Sequence, residues 1–213
     1  MRITVFGAAG DVGSRVVAEA LDRGHEVTAV VRDLARARAV PAAATLRTGD
    51  AANLDDVVSL SAGQDLVITA TRPAPGHEQE LAAITSVLLS GLACTGVRLL
   101  VVGGAATLVV PGADPLTLHE SPEFPVELRA IAQACADQLA ICRAETTTDW
   151  TYLSPPAELV PGARTGSYRV GVDELLTRAD GVSTISMEDF AVALLDEAER
   201  PVHRRTRFTV AGA

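Results

Sequence analysis

A glycine-rich turn near the N-terminus constrains the fold of this chain more than any other segment. The apolar run Arg2–Phe6 is typical of a short strand, it leads into Gly7–Gly13, and Ser14–Leu21 continues at helical spacing. Glycines in such a turn allow a sharp change of direction, a close approach of backbone to a pyrophosphate, and tight packing of helix on sheet. The helix N-terminus would then offer free N–H groups and a partial positive charge to phosphate. This order of strand, glycines and helix predicts a dinucleotide site.

The rest of the chain continues the alternation of strands and helices. Strands are predicted at Glu26–Val31, Ala44–Thr48, Gln64–Ala70, Arg98–Val102, Trp150–Leu153 and Arg207–Val210, and the main helices at Glu78–Thr95, Val126–Glu145 and Met187–Arg200. Such alternation predicts the α/β class, with a Rossmann-like, doubly wound parallel sheet that binds its ligand at the strand C-termini. With neither linker nor repeat, residues 1–213 are predicted to form one domain. Its turn-rich segment Glu158–Asp180 suggests a small C-terminal, substrate-facing lobe within about residues 157–185.

Composition excludes several classes of function. A net charge of −9 over 213 residues argues against nucleic acid and against an anionic membrane surface, because both bind through Lys and Arg. The longest apolar run, Leu99–Val110, is too short to span a bilayer, and Asp11 interrupts any secretory signal. The cysteines lack metal spacing and suggest small buried side chains in a reducing compartment. We therefore expect a cytoplasmic monomer or homodimer that binds a small molecule and no metal.

The residues after the second predicted strand bear on the choice of cofactor. NAD sites usually place an acid about 20 residues past the glycines, whereas NADP sites place an arginine there. This chain has both, Arg32 and Asp33. Arg32 comes first and could pair with a 2′-phosphate, reinforced by Arg36 and Arg38. The alternative is a solvated arginine beside a capping Asp33. The sequence therefore favours NADP(H) over NAD(H).

Two further strand ends offer contacts to the same cofactor. After the third predicted strand, Asp50 and Ala51 could hold the adenine edge. After the fourth, Ala70, Thr71 and Arg72 could line the middle of the cofactor, because the carboxyl ends of parallel strands share one edge of the sheet. The alternative at both places is that these are ordinary loop residues at strand ends that contact no cofactor.

Motifs along nearly the whole chain carry a resemblance to a known superfamily. They are Phe6–Gly13, Val31–Asp33, Gly49–Asp50, Thr71–Arg72, Val102–Ala105, Asp149–Pro156, Pro161–Gly166 and Ser186–Ala191. The chain resembles the atypical short-chain dehydrogenase/reductases, and within them the small NAD(P)H-binding, NmrA-like proteins that include biliverdin IXβ/flavin reductase. The resemblance implies cofactor contacts from Gly7, Ala9, Gly10, Asp11, Val12, Arg32, Asp50, Thr71 and Arg72, with Gly103 and Pro155 near the nicotinamide.

The active-site signature of standard members of that superfamily is missing. They use a Tyr-x-x-x-Lys pair, but this chain contains no lysine, and its tyrosines are Tyr152 and Tyr168. Gly104 stands where the resemblance would place a serine. The ketone/alcohol mechanism of standard members therefore cannot be transferred.

Without a positioned acid, a reductase should favour acceptors that take hydride readily, such as flavins, quinones or other conjugated metabolites. The small residues Gly103–Ala106 would leave a flat floor for such an acceptor, or would serve close packing. His119 and Tyr168 are the candidate proton donors, and Arg164 or Arg169 could bind an acidic substrate. Two other classes stay open: a non-catalytic NADP-binding redox sensor, and a tailoring enzyme of isomerase or lyase type that uses the same pocket.

Overall fold

A computed structural model describes residues 1–113 and 115–213 of the chain, with the side chain of Arg36 outside the described part. Ten strands are assigned: β1 Arg2–Phe6, β2 Glu26–Val31, β3 Thr45–Thr48, β4 Leu66–Thr69, β5 Arg98–Val102, β6 Trp150–Ser154, β7 Glu158–Val160, β8 Tyr168–Gly171, β9 Thr184–Ser186 and β10 Thr206–Gly212. The α-helices are α1 Asp11–Asp22, α2 Leu54–Ser61, α3 Glu80–Thr95, α4 Arg129–Ala144 and α5 Met187–Glu199. Short 3-10 helices cover Leu34–Ala39, Leu118–Glu120 and Val126–Leu128.

Eight of the strands form one sheet in the order β3-β2-β1-β4-β5-β6-β10-β8. All pairs are parallel except β10 with β8. β1 lies where the strand order reverses, with Ile3 opposite Val27 on one side and opposite Leu66 on the other. The carboxyl ends of β1 and β4 therefore border the crevice in which doubly wound sheets bind their ligands.

Helices cover both faces of this sheet. Alternation along β1 directs Ile3 toward the core beneath α1 and α5, and Phe6 toward the core beneath α2, α3 and α4. Phe190 of α5 and Leu88 of α3 are among the fully buried side chains of these two cores. Among the described helices, none has both the length and the apolar character needed to cross a membrane.

The α/β, Rossmann-like fold predicted from the sequence is confirmed. The turn-rich segment Glu158–Asp180 contributes more to the sheet than expected. β8 lies within it and extends the main sheet at the edge, antiparallel to β10, while β7 pairs with β9 outside that sheet. A substrate-facing lobe within residues 157–185 stays a prediction.

Candidate functional site

The glycine turn after β1 is shaped by close backbone contacts that leave no room for side chains. Gly7 has a φ of +78°, and a Cβ added there would lie 2.5 Å from the carbonyl oxygen of Ala70. A Cβ added at Gly13 would lie 2.1 Å from the carbonyl oxygen of Gly7. The turn thus packs directly on the end of β4, and α1 packs directly on the turn. Only glycine fits both positions.

The N-terminus of α1 lies open at this turn. Gly10 is the N-cap in an extended conformation (φ −77°, ψ 169°), and no described side chain caps the helix. The first-turn N–H groups of a helix need acceptors from outside the helix, and a cofactor phosphate can supply them. The backbone present here therefore fits a dinucleotide pyrophosphate.

A first cavity of about 420 Å³ adjoins the turn at the carboxyl ends of β1 to β4. The predicted cofactor residues that line it are Gly7, Ala9, Gly10, Arg32, Asp50, Ala51, Ala70, Thr71 and Arg72. Arg38 does not line it, and the side chain of Arg36 lies outside the described part of the chain. The ends of four neighbouring strands thus form one wall.

Arg32 and Asp33 play different parts at this cavity. The Asp33 carboxylate accepts a hydrogen bond from the Ala35 N–H at 2.9 Å and caps the 3-10 helix that follows. Arg32 is exposed, lines the cavity and makes no ion pair within the described residues. One oxygen of the acid that could bind ribose hydroxyls is therefore engaged in local structure, although Asp33 also lines the cavity. The Arg32 guanidinium is available to a phosphate.

A second cavity of about 460 Å³ shares Gly10, Ala70, Thr71 and Arg72 with the first, so the two form one cleft. The remaining predicted cofactor residues, namely Asp11, Val12, Gly103 and Pro155, line this second part. All thirteen residues predicted to bind the cofactor therefore border the cleft. Their contacts with a cofactor stay a prediction.

The floor of the second cavity is supported from below by Tyr152. A Cβ added at Gly103 would lie 2.0 Å from Cε1 of this ring, and one added at Gly104 would lie 2.7 Å from Sγ of Cys135. The Gly104 N–H donates to the Tyr152 hydroxyl at 3.0 Å, and that hydroxyl donates to the Cys135 carbonyl at 3.2 Å. Burial raises the pKa of Tyr152. The ring therefore holds the floor in place, and these glycines serve close packing as well as lining the cavity.

The outer walls of the second cavity were not predicted from the sequence. One face of α4 with the residue before it contributes Leu128, Ile131, Ala132, Cys135 and Gln138, and distant segments contribute Leu81, Leu118, Phe124, Leu159 and Met187. The α4 residues are spaced as on one face of a helix, and this spacing is the sequence feature from which the wall could have been predicted. Burial raises the pKa of the Cys135 thiol to about 11, although the charge of Arg72 acts in the opposite direction.

The structure does not bring the two candidate proton donors to the cleft. Nδ1 of His119 lies 2.9 Å from the Ala106 carbonyl oxygen, and this ring is not among the groups that line either cavity, although its neighbour Leu118 is. The Tyr168 hydroxyl donates to Asp196 at 2.5 Å, and burial together with that carboxylate raises its pKa. A catalytic role for either stays a prediction.

The two arginines considered for substrate binding are engaged elsewhere. Arg164 pairs with the buried Glu19 at 2.6 Å, and Arg169 donates to the carbonyls of Thr177 and Gly212. Within the described residues there is also no group of three or more His, Cys, Asp and Glu side chains that could hold a metal ion.

A doubly wound parallel sheet with a glycine turn and an open helix N-terminus at its switch point defines a dinucleotide-binding Rossmann protein. A family model described as NAD(P)H-binding matches residues 7–198. The chain belongs to this NAD(P)H-binding family, which confirms the resemblance to the atypical short-chain dehydrogenase/reductases. Membership of this family agrees with the prediction of a nucleotide-dependent oxidoreductase.

Similar proteins cover the whole chain. YwnB of Bacillus subtilis is 40% identical over 99% of this chain and 98% of its own length. A Bacteroides thetaiotaomicron structure provisionally named an epimerase is 37% identical with a TM-score of 0.90, covering 99% of this chain and 96% of that one. A Streptococcus pneumoniae structure provisionally named an NADH-flavin reductase is 32% identical with a TM-score of 0.89, covering 100% of both chains.

Proposed function

We propose that the protein is an NADPH-dependent reductase that transfers hydride to a conjugated acceptor, such as a flavin, a quinone or a specialised metabolite, without a Tyr-Lys pair. The observation that carries the proposal is the cleft itself. It runs from an available Arg32 guanidinium, past an open helix N-terminus, to a second cavity whose described walls are mainly apolar. The name of the similar Streptococcus pneumoniae protein supports a flavin among the acceptors.

The two parts of the cleft have separate tasks in this proposal. The first cavity binds the adenosine half, with Arg32 on the 2′-phosphate, and the turn at Gly10 binds the pyrophosphate. When bound, NADPH would supply the hydride, and the reduced acceptor would take its proton from water. The floor at Gly103 and the apolar walls orient the acceptor.

The protonation step explains the restriction to conjugated acceptors. Among the described residues that line the second cavity, the titratable ones are Asp11, Arg72 and Cys135. None of these is a histidine, tyrosine or lysine, and burial raises the pKa of the Cys135 thiol to about 11, which makes it a weak proton donor. An acceptor that delocalises the added electron pair needs no such donor.

Two other functions use the same cleft. A non-catalytic NADP-binding redox sensor is supported by the lack of a Tyr-Lys pair, because such a protein needs the cofactor and no acid. A tailoring enzyme of isomerase or lyase type is supported by the provisional name of the Bacteroides thetaiotaomicron relative.

Acceptor-dependent oxidation of NADPH distinguishes these functions. We expect steady loss of NADPH absorbance with menadione or lumiflavin, and faster loss than with NADH. Tight NADP⁺ binding without turnover across an acceptor panel would instead indicate a sensor. Conversion of a metabolite without cofactor turnover would indicate the tailoring enzyme.

A further inference from the structure

A backbone carbonyl at the floor of the second cavity lacks its partner in the sheet. Gly103 directly follows β5, is partly exposed and lines this cavity. Its N–H donates to the Leu153 carbonyl at 2.9 Å, which continues the parallel pairing of β5 with β6. The next bond of this ladder would run from the N–H of residue 155 to the Gly103 carbonyl. Residue 155 is a proline and has no N–H, so the ladder stops there.

Tyr152 determines which way this carbonyl faces. The Gly104 N–H donates to the Tyr152 hydroxyl beneath the floor, and the hydroxyl gives its own proton to the Cys135 carbonyl. In a trans peptide the N–H and the preceding C=O point in opposite directions. The Gly103 carbonyl therefore points away from the buried tyrosine and toward the cavity. Within the described part of the chain, no backbone N–H donates to it.

The position of this acceptor along the cleft selects its partner. The cleft runs from Arg32 after β2, past Gly10 after β1 and Ala70 after β4, and the next strand in the sheet is β5, which ends at Gly103. A dinucleotide with its pyrophosphate at the glycine turn and its adenosine toward Arg32 therefore has its nicotinamide beside Gly103. The carboxamide carries the only N–H groups of that ring.

We propose that Tyr152 is a positioning residue, which holds the Gly103 carbonyl toward the cleft so that this oxygen accepts a hydrogen bond from the carboxamide NH₂ of the nicotinamide. This inference rests on the proposed function, because it requires the cofactor to lie in that direction. An anchored carboxamide restricts rotation of the ring about its glycosidic bond, which orients it for hydride transfer.

A matched pair of cofactors tests the hydrogen bond directly. NADP⁺ and its 3-acetylpyridine analogue differ at one group, because a methyl replaces the carboxamide NH₂. Both are titrated by calorimetry without an acceptor, so no turnover is needed. We expect the wild-type protein to bind NADP⁺ about tenfold more tightly than the analogue. Equal affinities would overturn the inference.

Two proline variants test whether the Gly103 carbonyl makes this distinction. Pro155→Ala supplies the missing N–H of the ladder, so we expect the tenfold ratio to fall to about one. Pro156→Ala is the matched control, since Pro156 also lines the second cavity, but successive N–H groups of an extended strand point to opposite sides. Its ratio should stay at about ten. A tenfold ratio in a folded Pro155→Ala protein would exclude the Gly103 carbonyl.

Tyr152→Phe tests the positioning role, because it removes the hydroxyl and keeps the ring beneath the floor. We expect the ratio to fall to about threefold or less, since the peptide is then free to rotate. Tyr168→Phe is the control: its hydroxyl is bonded to Asp196, and the residue lines neither cavity. Adenosine 2′,5′-bisphosphate lacks the nicotinamide and should bind all variants alike. An unchanged ratio in a folded Tyr152→Phe protein would reject the role of Tyr152, and the wild-type pair stays decisive if a variant fails to fold.

Failure of the inference and failure of the proposed function give different results. Absence of NADP⁺ binding would reject both. Tight and equal binding of NADP⁺ and its analogue would reject the inference and leave the reductase standing. A tenfold preference for NADP⁺ without oxidation of NADPH by any acceptor would keep the role of Tyr152 and reject the reductase.

Discussion

The two ends of the cleft are built by different means. The first cavity is formed at the carboxyl ends of four neighbouring strands. Close backbone contacts in the turn Gly7–Gly13 determine its shape beside α1. The second cavity is closed by side chains from α3, α4, residues 118–128, residues 155–159 and Met187. Backbone geometry thus defines the cofactor end, and side-chain packing defines the acceptor end.

This difference separates what such a protein must keep from what it can vary. At the cofactor end the backbone is packed so closely that a Cβ added at Gly13 would lie 2.1 Å from the carbonyl oxygen of Gly7. Ile131 and Met187 are partly exposed walls of the second cavity, so we expect changes in their size to leave the sheet intact. We infer that substitutions at the first end alter whether the cofactor binds, whereas those at the second alter which acceptor is used.

The largest effect is expected from Gly13→Ala. Its Cβ would meet the Gly7 carbonyl oxygen at 2.1 Å, so α1 must move away from the turn. We expect a loss of about 1–3 kcal/mol in the free energy of unfolding, measured in urea, and about a hundredfold weaker NADPH binding. Gly10→Ala is the graded control, because its Cβ would lie 3.3 Å from the same oxygen. Equal losses in the free energy of unfolding for the two changes would contradict this account of the turn; NADPH binding does not distinguish them, because Gly10 itself lies at the proposed pyrophosphate site.

The contrast between the two ends also explains how far the sequence could predict them. Gly7 and Arg32 directly follow strands and Thr71 lies two residues past one. The carboxyl ends of neighbouring parallel strands meet at one edge of the sheet. Gln138 and Phe124 come together with Leu81 only after α3, α4 and the preceding loop have packed. The same limit applies to β8, whose pairing with β10 joins segments far apart in the chain. Local signals carry no information about such contacts.

A second prediction concerns the chemistry of Cys135 in the wall of the second cavity. Because burial raises its thiol pKa from 9.0 to about 11, the reactive thiolate is about a hundredfold scarcer near neutral pH. We expect alkylation by iodoacetamide, followed by mass spectrometry, to rise with pH until about 11. The exposed Cys94 serves as internal reference for access. Rapid labelling of Cys135 at neutral pH would show that this wall is open to water.

Arg32→Ala probes the cofactor end with a smaller change. Loss of charge-assisted hydrogen bonds to a 2′-phosphate of about 1.5–3 kcal/mol should weaken NADPH binding about ten- to a hundredfold. NADH, which lacks this phosphate, should bind almost as before. Arg47→Ala is the control, because Arg47 is an exposed arginine on the neighbouring β3 that does not line the cleft. Equal losses for both cofactors in titrations by fluorescence would reject the 2′-phosphate assignment.

The smallest effect is expected from His119→Ala, which tests the proton-donor prediction at the acceptor end. Nδ1 of His119 is bonded to the Ala106 carbonyl, and the ring lines neither cavity, so we expect kcat with menadione to stay within about twofold of wild type. A positioned general acid contributes about 10²–10⁴-fold in rate. A hundredfold drop in kcat without a change in KM would therefore place the imidazole at the reacting acceptor after loop closure. That result would also remove the argument that conjugated acceptors are required, since the second cavity would then have its own acid.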